Sequence, residues 1–145
     1  MSVPSGGERT PGVFTVELIT PEREVYNGPS SRLSVPGVMG SLGILANHAP
    51  LLTELRIGEA SLTDPNGDQL HFYIGGGFLE VNRNRVTILA EDAASENEMA
   101  PAEAERLHQI AQDNLALADG SIDAEEAARE AERAAARLRV ARRGR

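Results

Sequence analysis

The side chains of this sequence that could do chemistry are three histidines, Ser41 and a run of glycines, and their spacing suits no reaction centre. His48, His71 and His108 are dispersed, with no acidic cluster at the spacing that completes a metal site. Each reads instead as a loop or buried histidine holding one hydrogen bond. Ser41 stands in Met39-Gly40-Ser41-Leu42-Gly43, which lacks the first glycine of the elbow that presents a serine nucleophile. Gly75-Gly76-Gly77 is followed by neither Lys-Ser/Thr nor a helix, so a bulge or bend fits better than a phosphate loop. Cysteine is absent, which excludes disulfides, thiolate catalysis and cysteine-ligated metals. All 14 basic residues are arginine, which excludes a Schiff-base lysine and the lysine of a P-loop. No catalytic residue, metal or cofactor is expected. The pattern is that of a binding or mechanical module, and a small hydrolase built on Ser41 and His48 is the enzymatic alternative.

The arginines carry more information. A net charge of −8 argues against nucleic-acid binding, which needs a basic surface. Yet Arg133, Arg137, Arg139, Arg142, Arg143 and Arg145 crowd the last thirteen residues, and no acid follows Glu132. Arg129, Arg133 and Arg137 recur every four residues and share one helical face. Glu125 precedes Arg129 by one turn, a pairing worth only a few tenths of a kcal/mol. Such a stripe is either a solvated face or the contact for an acidic partner.

The elements that must position these residues fall into two groups. From Val13 to Glu91 short apolar segments recur, at 13–18, 32–35, 51–55, 59–62, 69–74, 78–81 and 85–89. Asn27-Gly28-Pro29, the Asn66-Gly67 step and Asn82-Arg83-Asn84 supply turn chemistry between them. The stretch 34–58, rich in glycine and proline with Gly37, Gly40 and Gly43 at every third position, reads as a compact shaped loop between strands. Strands at this spacing predict an antiparallel β-sandwich or barrel over 13–92. Aromatics are only 3% of the chain, so the core must be largely aliphatic.

At Ala93 the composition turns to alanine and glutamate, which predicts a two-helix antiparallel hairpin over 93–145. Pro101 opens the first helix, with Leu107, Ile110, Ala111, Leu115 and Ala118 on one face. Asp119-Gly120-Ser121 breaks it, and Asp123 with Glu126 starts the second as a capping box. There Ala127, Ala131, Ala134 and Leu138 form a narrow stripe, widened by Ala128 and Ala135. Alanine buries little area per residue, so this hairpin should dock weakly and reversibly. Residues 1–12 read as a flexible polar leader without the apolar core of a secretory signal. No apolar run approaches the ~18 residues of a membrane span, so a soluble cytoplasmic protein is expected.

Two blocks resemble one family. Pro36-Gly37, Gly40, Leu42-Gly43-Ile44, His48-Ala49-Pro50-Leu51-Leu52-Thr53 and Gly58 look like the signature of the epsilon subunit of F-type ATP synthase. Tyr73-Ile74-Gly75-Gly76-Gly77-Phe78-Leu79-Glu80-Val81 and Val86-Thr87-Ile88-Leu89-Ala90 agree with it. The resemblance runs from Val13 to Val140, in order and spacing. It implies a sandwich held by the gamma subunit and the c-subunit ring, and a helical hairpin that restrains ATP hydrolysis when it reaches the beta and alpha subunits. It implies no catalysis of the chain's own, and a peripheral position on the cytoplasmic face of the cell membrane through the complex alone.

On this resemblance Gly40, Ser41, Asn47 and His48 belong to the ring-contact loop, and Arg133, Arg137, Arg139 and Arg142 to the inhibitory contact with an acidic part of beta. Two departures stand out. The family often carries a charge where this chain has Ser41, so the ring contact is kept through His48 with altered electrostatics. Some members bind ATP on the hairpin through Ile/Leu-Asp-x-x-Arg-Ala; here Met99-Ala100-Pro101-Ala102-Glu103-Ala104 stands there, without the acid and with glutamate for arginine. That ATP site reads as degraded. The rival to this assignment is a free-standing sandwich adaptor whose helical tail binds an acidic partner.

Overall fold

A computed structural model describes residues 12–118 and 122–144. The leader 1–11, the Asp119-Gly120-Ser121 break with its expected glycine cap, and Arg145 lie outside the described residues. The strands are β1 (Phe14–Ile19), β2 (Glu24–Ser30), β3 (Arg32–Gly37), β4 (Gly40–Ile44), β5 (Leu51–Thr63), β6 (Gln69–Asn82), β7 (Arg85–Ala90) and β8 (Ala93–Ser95). The helices α1 (Pro101–Leu117) and α2 (Ile122–Ala141) follow. The 8-stranded sheet runs β2-β1-β7-β6-β5-β3-β4, with β8 on β6. Its pairings are antiparallel except β1 with β7, which is parallel.

The sandwich is made by one long creased hairpin. β5 and β6, 13 and 14 residues long, each join two apolar segments that glycines appeared to separate. Gly76 and Gly77 take φ of 97° and 149° and bend β6 in its middle. Before the bend Phe72–Ile74 pair with β8; after it Gly77–Asn82 pair with β7. One strand thus serves both layers, and the layers close over a common core. Phe14, Val16 and Leu18 from β1, Leu33 and Val35 from β3, Leu62 from β5 and Leu79, Val81, Val86 and Ile88 meet there, all nearly inaccessible. Phe72, tilted against Tyr26 at 5.4 Å between ring centroids, joins Phe14 as the aromatic contribution to a largely aliphatic centre.

Three expectations change. The stretch 34–58 is not a loop: β3 turns through Val38-Met39 into β4, and only 45–50 is irregular before β5 begins. Asn27-Gly28-Pro29 lies inside β2, paired with Glu17, Val16 and Thr15. β2 is an edge strand, where a proline costs no ladder hydrogen bond on its open side. The sheet also outlasts the change of composition, since β8 pairs Ala93 with Ile74 and buries it.

Pro101 opens α1 as the first-turn position predicts. α2 begins at Ile122, so Asp123 lies inside its first turn rather than capping it. Of the expected alanine stripe only Ala134 and Leu138 are buried, Ala128 is exposed, and α2 divides its buried residues between two neighbours. Leu138 and Ala141 pack against Ala104 of α1. Ala136 and Val140 pack against Tyr73, with Ile57 beside them. In α1 only Ala104 and Ala111 are buried, while Leu107, Ile110 and Leu115 remain about 40% exposed.

Candidate functional site

The residues assigned to ring contact occupy both ends of β4. Gly40 and Ser41 open the strand opposite Gly37 and Pro36, with Ser41 exposed on an edge. Asn47 and His48 lie beyond its far end, in the 45–50 loop. Asn47 is held in a left-handed conformation, φ 63°, and its N–H donates to Asn84 Oδ1 at 2.7 Å. His48 Nδ1 sits 2.7 Å from the carbonyl oxygen of Ala49. A hydrolase would need His48 hydrogen-bonded to Ser41, and among the described residues that bond is absent. His71 instead meets Glu59, Nδ1 to Oε2 at 3.2 Å, and among the described residues no His/Asp/Glu group could hold a metal.

The arginine stripe is engaged within the chain. Arg133 reaches Glu126 and Glu130 of its own helix at 3.3 Å. Arg137 crosses to the sandwich: its Nη2 lies 3.0 Å from Asp92 Oδ2, and its guanidinium carbon sits 4.7 Å over the Tyr73 ring. Burial pushes the Tyr73 phenol well above its usual range, with Arg137 partly opposing it, so the ring stays neutral under the cation. Such stacking contributes ~0.5–2 kcal/mol depending on desolvation. Arg142 meets Glu105 at 3.4 Å and Arg143 meets Glu59 at 2.8 Å. Arg139 points outward and is exposed. Arg23 and Glu98 add a further tie at 2.7 Å, and that hydrogen bond, with the Ser95 N–H, holds the Glu98 carboxyl below the usual range against its partial burial.

An apolar surface had not been singled out from the sequence. Phe78 and Leu89 face each other across β6 and β7 and are 53% and 56% exposed. Ile19 continues the row on β1, and with Thr20 and Pro21 these residues line a groove of about 440 Å³. On β5 the residue opposite Phe78 is Glu54, which ends the row; Leu52, 72% exposed, stands opposite Glu80, two residues further along. The signal was present: Phe78-Leu79 and Ile88-Leu89 are adjacent apolar pairs, and in a strand one of each pair must point outward.

The residues 99–104, read above in place of the ATP motif, lie at the entry to α1. Ala100 precedes α1, and Glu103 is spent on Arg106 at 2.6 Å. The adjoining pocket, about 350 Å³, is lined by Glu98, Met99, Ala100, Glu103, Ala104, Leu107 and Arg137.

Comparison with known proteins agrees with this architecture. Residues 13–96 match the family described as the beta-sandwich domain of the ATP synthase delta/epsilon chain. The ATP synthase epsilon chain of Nitrosococcus oceani is 36% identical over 125 residues, covering 86% of this chain and 89% of its own. That of Latilactobacillus sakei is 39% identical over 116 residues, covering 79% and 80%. A chain of the Euglena gracilis mitochondrial ATP synthase shares the fold with a TM-score of 0.72 at 19% identity, over 91% of this chain and 85% of that one. With the sandwich matched almost end to end and the identities reaching into the helices, the chain belongs to the ATP synthase delta/epsilon chain family.

Proposed function

We propose that the chain is a non-catalytic rotor subunit of an F-type ATP synthase, turning with the central stalk and restraining ATP hydrolysis through its helices. The observation that carries this reading is the row Ile19, Leu89 and Phe78, an apolar groove on the outside of an otherwise well-filled sandwich. Exposed apolar surface of this kind suits a protein–protein contact. We assign it to the gamma subunit, with the 45–50 loop and Ser41 turned to the c-subunit ring and the α2 arginines to beta and alpha. The solved chains of similar fold belong to c-ring and central-stalk assemblies, which supports the same arrangement. No helix among the described residues is long and apolar enough to cross a membrane; we assign the attachment to the cytoplasmic face of the membrane to the complex.

Reconstitution tests the reading. Phe78→Glu with Leu89→Glu leaves the inward-facing core untouched, so the isolated variant should keep its circular dichroism and melting. It should fail to co-purify with gamma and the catalytic subunits. Retention of the double variant in the assembled enzyme would overturn the gamma assignment. A wild-type chain that never co-purifies with gamma would favour the free-standing adaptor.

The hairpin should not act as an ATP sensor. A triphosphate entering there meets the carboxylates of Glu98 and Glu103, and the arginine of the lining, Arg137, is already committed to Asp92 and Tyr73 instead of free for bidentate phosphate binding. Calorimetric titration of the full chain should show a dissociation constant no tighter than ~1 mM, an affinity of about −4 kcal/mol. Micromolar binding would show that another set of residues forms the site.

A further inference from the structure

We infer that Asn84 is the positioning residue for the loop that carries Asn47 and His48, an inference that rests on the ring-contact reading above. Asn84 belongs to the tight turn between β6 and β7, where Arg83 and Asn84 both take left-handed conformations, φ 52° and 62°. Its side chain is half-buried, with both amide atoms engaged. Oδ1 accepts from the Asn47 N–H at 2.7 Å, and Nδ2 donates to the Val13 carbonyl at 2.9 Å. Its own carbonyl accepts from the Thr15 N–H at 3.3 Å. One residue therefore joins three segments distant in sequence: the entry to β1, the β6–β7 turn and the 45–50 loop.

The loop depends on that bond more than its neighbours do. Ala46 packs at the edge of the core, but Asn47 is exposed and His48 only half-buried. Asn47 must hold a positive φ, which an unsupported non-glycine residue adopts at a cost. The short amide bond to Asn84 fixes that conformation and with it the direction in which His48 leaves the backbone. Left-handed turn geometry alone would be satisfied by glycine at position 84. The amide is what glycine could not supply, so its function here is the link to Asn47 and Val13.

Two variants separate the amide from the turn. Asn84→Gly keeps the left-handed turn and removes both amide bonds, whereas Asn84→Asp keeps an acceptor for Asn47 and loses the donor to Val13. In the full-length chain, the Asn47 amide should exchange about two- to tenfold faster in the glycine variant, the range an intramolecular hydrogen bond supplies. It should stay protected in the aspartate variant, and the melting of the sandwich should stay close to wild type in both. In reconstituted enzyme the glycine variant should pump fewer protons per ATP hydrolysed. Unchanged Asn47 exchange in Asn84→Gly would overturn the positioning role. Faster exchange with undiminished pumping would leave that role standing and overturn the ring-contact reading of the loop.

Discussion

Gly77→Ala should leave the chain largely unfolded, whereas Gly76→Ala, one residue away, should cost only ~1–3 kcal/mol. Both glycines have positive φ, 149° and 97°, so alanine is strained at either place. Their surroundings differ. A Cβ at Gly76 would meet nothing nearer than Leu55 O at 3.9 Å. At Gly77 it would lie 2.1 Å from Leu89 O and 2.8 Å from Ala90 Cα. Those atoms are backbone of β7, which cannot rotate away as a side chain could. To admit the methyl, β6 and β7 must part where Gly77 pairs with Ala90, at the crease that lets one strand serve both layers. Domains of this kind have only ~5–15 kcal/mol of net stability, so opening the crease removes most of it. Urea titration followed by circular dichroism distinguishes the two variants. Equal midpoints for them would show that β7 gives way to a methyl group at Gly77 without loss of the crease.

That crease also explains what could be read from the sequence and what could not. Gly75-Gly76-Gly77 announced a bend, but the bend lies within a strand, so the segments 69–74 and 78–81 are one element. Asn27-Gly28-Pro29 carries turn chemistry, yet an edge strand tolerates it because half of its backbone needs no partner. The helices were plain from alanine periodicity and Pro101. Their mode of docking was not, because it depends on pairings with no sequence spacing to betray them. Arg143 meets Glu59 across 84 residues, and Arg23 meets Glu98 across 75. Tyr73, an ordinary strand residue in the sequence, proves to be the platform on which α2 rests. From the sequence the arginines were either a solvated face or the contact for an acidic partner; in the fold Arg137, Arg142 and Arg143 meet Asp92, Glu105 and Glu59 of the chain itself.

The inhibitory role proposed for the helices therefore becomes a competition, and two substitutions should move ATP hydrolysis in opposite directions. In the docked state Arg137 is committed to Asp92 and Tyr73, while Arg139 is exposed. Removing Arg139 subtracts only from contacts made by an extended hairpin, so Arg139→Ala should raise hydrolysis in the assembled enzyme. Asp92→Asn subtracts only from the docked state. Asp92 is about half exposed, so its pair with Arg137 contributes at most ~1 kcal/mol. That is enough to shift the docked-to-extended ratio up to about fivefold, and hydrolysis should fall accordingly. Arg137→Ala weakens both states and should change hydrolysis less than either. Deleting residues 99–145 should raise it most, because no hairpin remains, while β8 is kept and proton-driven synthesis continues through the sandwich. The cut belongs after Glu98 rather than at the composition change, since Ala93 and the strand it begins are part of the sheet. Steady-state hydrolysis by enzyme with verified subunit content measures all four. Unchanged rates in the deletion would exclude an inhibitory hairpin. A rise with Asp92→Asn would show that the docked arrangement, with Arg137 over Tyr73, is itself the restraining state.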